Sequence, residues 1–135
     1  MPSPPKIPRP ILVVDDEPAF RELLGQFLEQ AGYAVVLAAD GVAGGRCLAR
    51  GPFDLVLTDL IMPEMDGIEF ITQVRREHPA TRIIAMSGGG QISGREYLKL
   101  ARGLGAHEIL EKPFPQEKLL ATVADILAAG PVARA

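Results

Sequence analysis

The chain predicts an α/β protein built on a doubly wound, five-stranded parallel sheet with helices on both faces. Three observations predict it. Apolar runs of strand length alternate five times with segments of helical period, the pattern of successive βαβ units. The runs are rich in Ile, Val and Leu with little polar alternation, as strands covered on both faces are. Four of the runs end on polar residues: ILVV leads to Asp15-Asp16, FDLVLT to Asp59, RIIAM to Ser87 and EILE to Lys112. In an open α/β sheet, ligands bind beyond the carboxyl ends of the strands.

Residues 1–9 are read as a proline-rich N-terminal tail, in which Pro2, Pro4, Pro5 and Pro8 remove backbone donors and favour an extended arm. A single domain of residues 10–130 follows, and 131–135 form a C-terminal tail. Strands are expected near 11–14, 34–38, 54–58, 82–87 and 107–111. The first helix, Pro18 to Ala31, carries Phe20, Leu23, Leu24, Phe27 and Leu28 at helical spacing for the core. Pro18 suits its first turn and Gly32 its C-terminal cap. After Asp59 the chain turns away sharply, with Asp66 available to cap the third helix.

Glycines crowd the segment after Ser87, at Gly88, Gly89, Gly90, Gly94, Gly103 and Gly105. Each interior glycine disfavours a helix by up to about 1 kcal/mol relative to alanine, so the fourth helix is expected to be short and mobile. That stretch lacks both the Walker lysine spacing and the spaced glycines of a dinucleotide fingerprint, which argues against nucleotide binding. The last helix, about 115–129, repeats the core pattern with Leu119, Leu120, Val123, Ile126 and Leu127 before Gly130-Pro131 stops it.

Composition narrows the function classes. A length of 135 residues suits one core without a disulfide or structural metal. A net charge of -3 leaves no basic footprint for nucleic acid. No apolar run has the length of a membrane span, and the first ten residues lack the apolar centre of a secretory signal, so a cytoplasmic protein is expected. Cys47 is alone and reads as a small apolar residue on a helix. His78 and His107 have no companion at ligand spacing and receive no role.

The chemistry lies in the acidic strand ends. Asp16 alone could cap the first helix, Lys112 could be a surface lysine and Ser87 a strand-end hydroxyl; their convergence with Asp59 favours a site instead. Two like charges about 4 Å apart repel by up to about 4 kcal/mol at an effective dielectric near 20, so Asp15, Asp16 and Asp59 together call for a cation. Hard oxygen ligands without His or Cys favour Mg²⁺. Beside such an ion one carboxylate can act as nucleophile and form an aspartyl phosphate, and Asp59, at the end of the most apolar strand, is best placed to do so. Lys112 would neutralise phosphoryl charge and Ser87 would hydrogen-bond a phosphoryl oxygen.

With these residues in place, the sequence resembles the receiver domains of bacterial two-component response regulators. The resemblance rests on Val13-Val14-Asp15-Asp16-Glu17, Asp59-Leu60-Ile61-Met62-Pro63 with Met65-Asp66-Gly67, Ser87, and Lys112-Pro113-Phe114, and it covers about residues 10–129. It implies a flavodoxin-like sheet of order 2-1-3-4-5 flanked by five helices. It implies that Asp59 takes a phosphoryl group from a phosphohistidine on a sensor histidine kinase or a histidine phosphotransfer protein. Asp16, Asp59 and the backbone carbonyl of Ile61 would bind Mg²⁺ directly, Asp15 would assist through water, and Lys112-Pro113 would be cis.

The chain departs from that family where the family's switch aromatic stands, three residues before the lysine. That position is Ile109, and Tyr97 on the predicted fourth helix is a candidate substitute. The segment from Ser87 to Lys112 is longer than is typical of the family and is expected to order on phosphorylation. Ile61 and Gly89, two residues after Asp59 and Ser87, offer no polar side chain to orient a hydrolytic water, so slow self-dephosphorylation is expected. The reading is a single-domain response regulator, not a metabolic enzyme, that switches partners as a monomer or as a phosphorylation-dependent dimer. The alternatives are a pseudo-receiver interaction module and a Mg²⁺-dependent phosphohydrolase, which would need a second acid/base carboxylate close to the nucleophile where the chain has Leu60-Ile61.

Overall fold

The computed structural model describes residues 9–60, 67–88, 99, 102–103 and 105–128. In chain order these give β1 (Ile11–Val14), α1 (Pro18–Gln30), β2 (Val35–Ala38), α2 (Gly41–Arg50), β3 (Leu55–Asp59), α3 (Gly67–Glu77), β4 (Arg82–Ser87), β5 (Glu108–Glu111) and a C-terminal helix, α4 (Gln116–Ala128). Lys99, Arg102 and Gly103 between β4 and β5 are also helical, where the fourth of five helices was expected. The predicted shortness and mobility of that helix, together with Tyr97, Gly89, the Asp66 cap, the Gly130-Pro131 stop and the residues up to Pro8 and from Ala129 onward, lie outside the described residues.

All strands run parallel in the order β2-β1-β3-β4-β5. The register sets Val14 beside Thr58, Asp59 beside Met86 and Ser87 beside Glu111, so the carboxyl ends of β1, β3, β4 and β5 share one edge. Alternate strand residues feed two cores. On one face Leu12, Val14, Val56, Ile83 and Ala85 pack with Leu48 of α2 and with Phe70, Ile71 and Val74 of α3. On the other, Ile11, Val13, Leu55, Leu57, Ile84 and Met86 pack with Leu24 and Leu28 of α1 and Leu119 and Val123 of α4. Burial on both faces explains the unbroken apolar strands.

The helices are built as their sequences suggest, with one correction. Pro18 opens α1 after Glu17, and α1 closes with Gly32 at φ 98, where Gly32 N–H donates to Glu29 O and Tyr33 N–H to Leu28 O, a Schellman arrangement. Asp40 caps α2 by accepting from Ala43 N–H at 2.8 Å. Cys47 is a partly buried residue of α2 against the first core. Leu23, expected in the core, is 41% exposed. The buried stripe of α1 runs through Leu24, Gly25 and Leu28, and Leu23 falls on the turned-away side of the same helix.

His107 does have a structural part, which the sequence did not reveal. Its backbone N–H donates to Ile83 O at 2.7 Å, and its Nδ1 accepts from Ile83 N–H at 3.0 Å, so the imidazole completes the pairing of β4 where β5 begins. Burial and the nearby Arg75 and Arg82 charges hold its pKa below the ordinary histidine value. The unfolded chain therefore takes up the proton first as pH falls. The stability tied to neutral His107 is complete above the unfolded value of about 6.5 and is lost as pH falls from there through the folded pKa. Urea unfolding at pH 7.5 and 5.5 is expected to show a smaller acid loss in His107→Gln than in the wild type.

Candidate functional site

The site forms because four strands deliver one polar residue each to the same edge. Asp15 follows β1 and is fully buried; Asp59 ends β3 and is buried; Ser87 ends β4; Lys112 follows β5. Gly67 brings α3 back against β3, its N–H donating to Leu60 O at 2.9 Å. A Cβ there would overlap Asp59 O and Leu60 Cα, so only glycine lets the backbone approach the end of β3 this closely. Lys112 N–H donates to Ser87 O at 2.7 Å, tying the lysine's backbone to β4.

Oxygens of Asp15, Asp16 and Asp59 all lie within 4.8 Å of one another. Repulsion between two of them at that spacing is about 3.5 kcal/mol at an effective dielectric near 20. The Lys112 ammonium offsets part of it: Nζ donates to Asp15 Oδ2 at 2.8 Å and to Asp59 Oδ2 at 3.3 Å. Burial alone would lower the lysine pKa, but the hydrogen bonds and charges of Asp15 and Asp59 together outweigh it and raise the pKa above the ordinary value. The ammonium's stabilisation is thus fully present below the unfolded lysine value of about 10.4 and is lost only as pH rises through the folded pKa. Asp15 also organises its own loop, with Oδ1 accepting from Glu17 N–H at 2.9 Å and its carbonyl accepting from Arg21 Nη1 at 2.8 Å. The helix-cap position belongs to Glu17, which leaves Asp16 exposed at the rim of the cluster.

These are all hard oxygen donors, and three carboxylates against one ammonium leave an excess of negative charge. The donor set fits a hard divalent cation. Ser87 stands one register step beyond the Asp59–Met86 pair, with its hydroxyl donating to Gly88 O at 3.3 Å. Ile61, expected to offer its carbonyl, lies outside the described residues. The Lys112-Pro113 peptide is cis.

Residues 11–124 match the response regulator receiver domain model. The chain belongs to that family. Receiver domains are signalling modules of two-component systems. Among similar sequences, the chain is 35% identical over 120 residues to the transcriptional regulatory protein GlrR of Escherichia coli, covering 89% of this chain and 26% of the relative. It is 38% identical over 123 residues to the response regulator MprA of a Mycobacterium species, covering 90% of this chain and 51% of that protein. The chain therefore spans about a quarter to a half of these relatives. The receiver domain of NtrX from Brucella abortus superposes with a TM-score of 0.83 at 27% identity, covering 89% of this chain and 99% of that one. A CheY-like receiver domain from Methanospirillum hungatei gives 0.82 at 27% identity, covering 90% and 95%.

Ile109, at the position where the resemblance places a switch aromatic, is partly buried against the first core. The residues that sequence reasoning missed are on α1. Phe20 was assigned only to the core, yet its ring lies under the Lys112 ammonium, and Arg21 was given no part. The available signal was that both follow Asp15 by little more than one helical turn, which places them over the carboxyl end of β1.

Removing the ammonium leaves the buried Asp15 carboxylate uncompensated. Lys112→Ala is expected to lower the unfolding free energy by about 2–4 kcal/mol, with part of the loss recovered when Mg²⁺ is added. Asp16→Asn, which removes one repelling charge from the rim, is expected to raise stability by up to about 1 kcal/mol in chelator and to lose that advantage in Mg²⁺. Both are read from urea midpoints at pH 7.

Proposed function

We propose that the receiver of residues 10–130 accepts a phosphoryl group on Asp59, in a Mg²⁺-dependent reaction, from a phosphohistidine on a sensor histidine kinase or histidine phosphotransfer protein. The observation that carries the reading is Asp59 itself, a buried strand-end carboxylate within 4.8 Å of two others and 3.3 Å from a lysine ammonium. An Asp59 carboxylate oxygen would form the new bond to phosphorus while the bond from phosphorus to the imidazole nitrogen breaks, the imidazole leaving and taking up a proton. Lys112 is already within reach of Asp59 and would follow the growing negative charge on the phosphoryl oxygens. Ser87, at the neighbouring strand end, would exchange its bond to Gly88 O for one to a phosphoryl oxygen. Asp15, Asp16, Asp59 and the Ile61 carbonyl would hold Mg²⁺, whose part is to neutralise phosphoryl charge and orient the group for in-line transfer.

The aspartyl phosphate would alter which protein the domain binds in a cytoplasmic phosphorelay, through Ser87 and the segment that follows it, since Ile109 lacks the ring that could report by rotating. The retention of all three carboxylates and the lysine around Asp59 favours this reading over a pseudo-receiver.

Intact mass after incubation with acetyl phosphate and Mg²⁺ tests the proposal. One phosphoryl adduct is expected, absent in Asp59→Ala and in EDTA. With Ile61 and Gly89 in place of polar side chains, the adduct should persist for minutes or longer after the donor is removed. No adduct under any donor, including a phosphorylated histidine phosphotransfer protein, would sink the reading.

A further inference from the structure

Lys112 does not rest on the carboxylates alone. Its Nζ lies 4.3 Å from the centroid of the Phe20 ring, and Phe20 meets Phe114 edge to face, with centroids 5.8 Å apart and planes at 75°. Both rings are partly buried against the second core. The ammonium is thus bounded by Asp15 on one side, Asp59 on another and a ring face on a third, and its side chain is only 17% exposed. A lysine carries four rotatable carbons and a compact, strongly hydrated charge, so its default is to swing toward water. A ring face attracts the ammonium through its quadrupole and at the same time excludes the water that would compete for it. Phe114, two residues beyond the lysine, braces that ring from the β5 side.

We infer that Phe20 is a positioning residue for phosphoryl transfer, acting through Lys112 by holding its ammonium over the acidic cluster. The inference rests on the phosphoacceptor reading of Asp59 and extends it to a side chain whose contact is with the lysine ammonium. Plain packing by Phe20 is the competing explanation, and the two differ in what an aliphatic replacement does. A leucine fills most of the same volume but has no quadrupole. If the ring positions Lys112, leucine loses function and another aromatic keeps it. If the ring only packs, leucine suffices.

The test compares wild type, Phe20→Leu, Phe20→Tyr and Phe20→Trp, each also in a Lys112→Met background, after urea unfolding has established which are folded. Phosphorylation by acetyl phosphate in Mg²⁺ is followed by intact mass over a range of donor concentrations. The Leu variant is expected to lose about fivefold in the maximal rate with little change in the half-saturating concentration, the size expected of a partly desolvated cation–π contact. Tyr or Trp should recover most of the loss, and in the Lys112→Met background the Leu substitution should cost nothing further. A Leu variant as fast as wild type would overturn the inference. So would an equal loss with and without Lys112, which would mark a packing role. Carbon relaxation of the Lys112 ε-methylene supplies a readout independent of phosphorylation. It should report an ordered side chain in wild type and Phe20→Tyr and a freely averaging one in Phe20→Leu, and unchanged order in Phe20→Leu would refute the positioning role even if no phosphoryl adduct forms. Absence of an adduct in the wild type would instead count against Asp59 as acceptor.

Discussion

The Lys112 ammonium, hydrogen-bonded to Asp15 and Asp59 at once, is the contact on which the site depends. A fully buried carboxylate has lost its hydration, and a second one nearby repels it. Without an internal cation the two would separate or draw in water. The lysine holds both in place by hydrogen bonds to each, at the expense of confining a side chain that would otherwise be solvated. The remaining excess of negative charge is what suits the cluster to a divalent cation.

The scaffold explains how such opposed charges can be held. Asp15 and Asp59 sit at the ends of β1 and β3, neighbouring strands whose residues are buried on both faces. Packing from α1 and α4 on one side and from α2 and α3 on the other fixes the strands. Electrostatic strain of a few kcal/mol at one edge is small against that apolar burial, so the fold tolerates a site that is locally unfavourable. The close approach at Gly67 and the bond from Lys112 N–H to Ser87 O show the same economy: backbone contacts, indifferent to charge, determine where the charged side chains begin.

The chain meets its family in the acidic cluster and the lysine but not at Ile109. A rotating ring reports phosphorylation by exchanging a buried for an exposed position, and isoleucine has no such pair of states to exchange. Under the proposed phosphorylation of Asp59, signal output would draw on groups nearer that residue, of which Ser87, one register step from Asp59 and bonded only loosely at 3.3 Å to its neighbour's carbonyl, is the best placed among the described residues.

Much of this was legible in the amino-acid sequence. Strand identity follows from unbroken Ile, Val and Leu runs, and the site residues were legible because each stands at the end of its own run, a position that local pattern defines. Asp15, Asp16, Asp59 and Lys112 needed only the strand order to converge. What the sequence could not yield depends on the rotation of one helix and on contacts between distant segments. Leu23 and Phe20 share one apolar pattern, but the tilt of α1 against the sheet exposes the first and sets the second under an ammonium supplied 92 residues later. His107 looked idle because its partner is the backbone of Ile83, and a backbone N–H leaves no mark in a sequence. Local pattern thus determined the elements and the chemistry available at their ends. Tertiary packing alone decided which side chains face one another there, because that depends on helix rotation and strand register, which are set by the whole core at once.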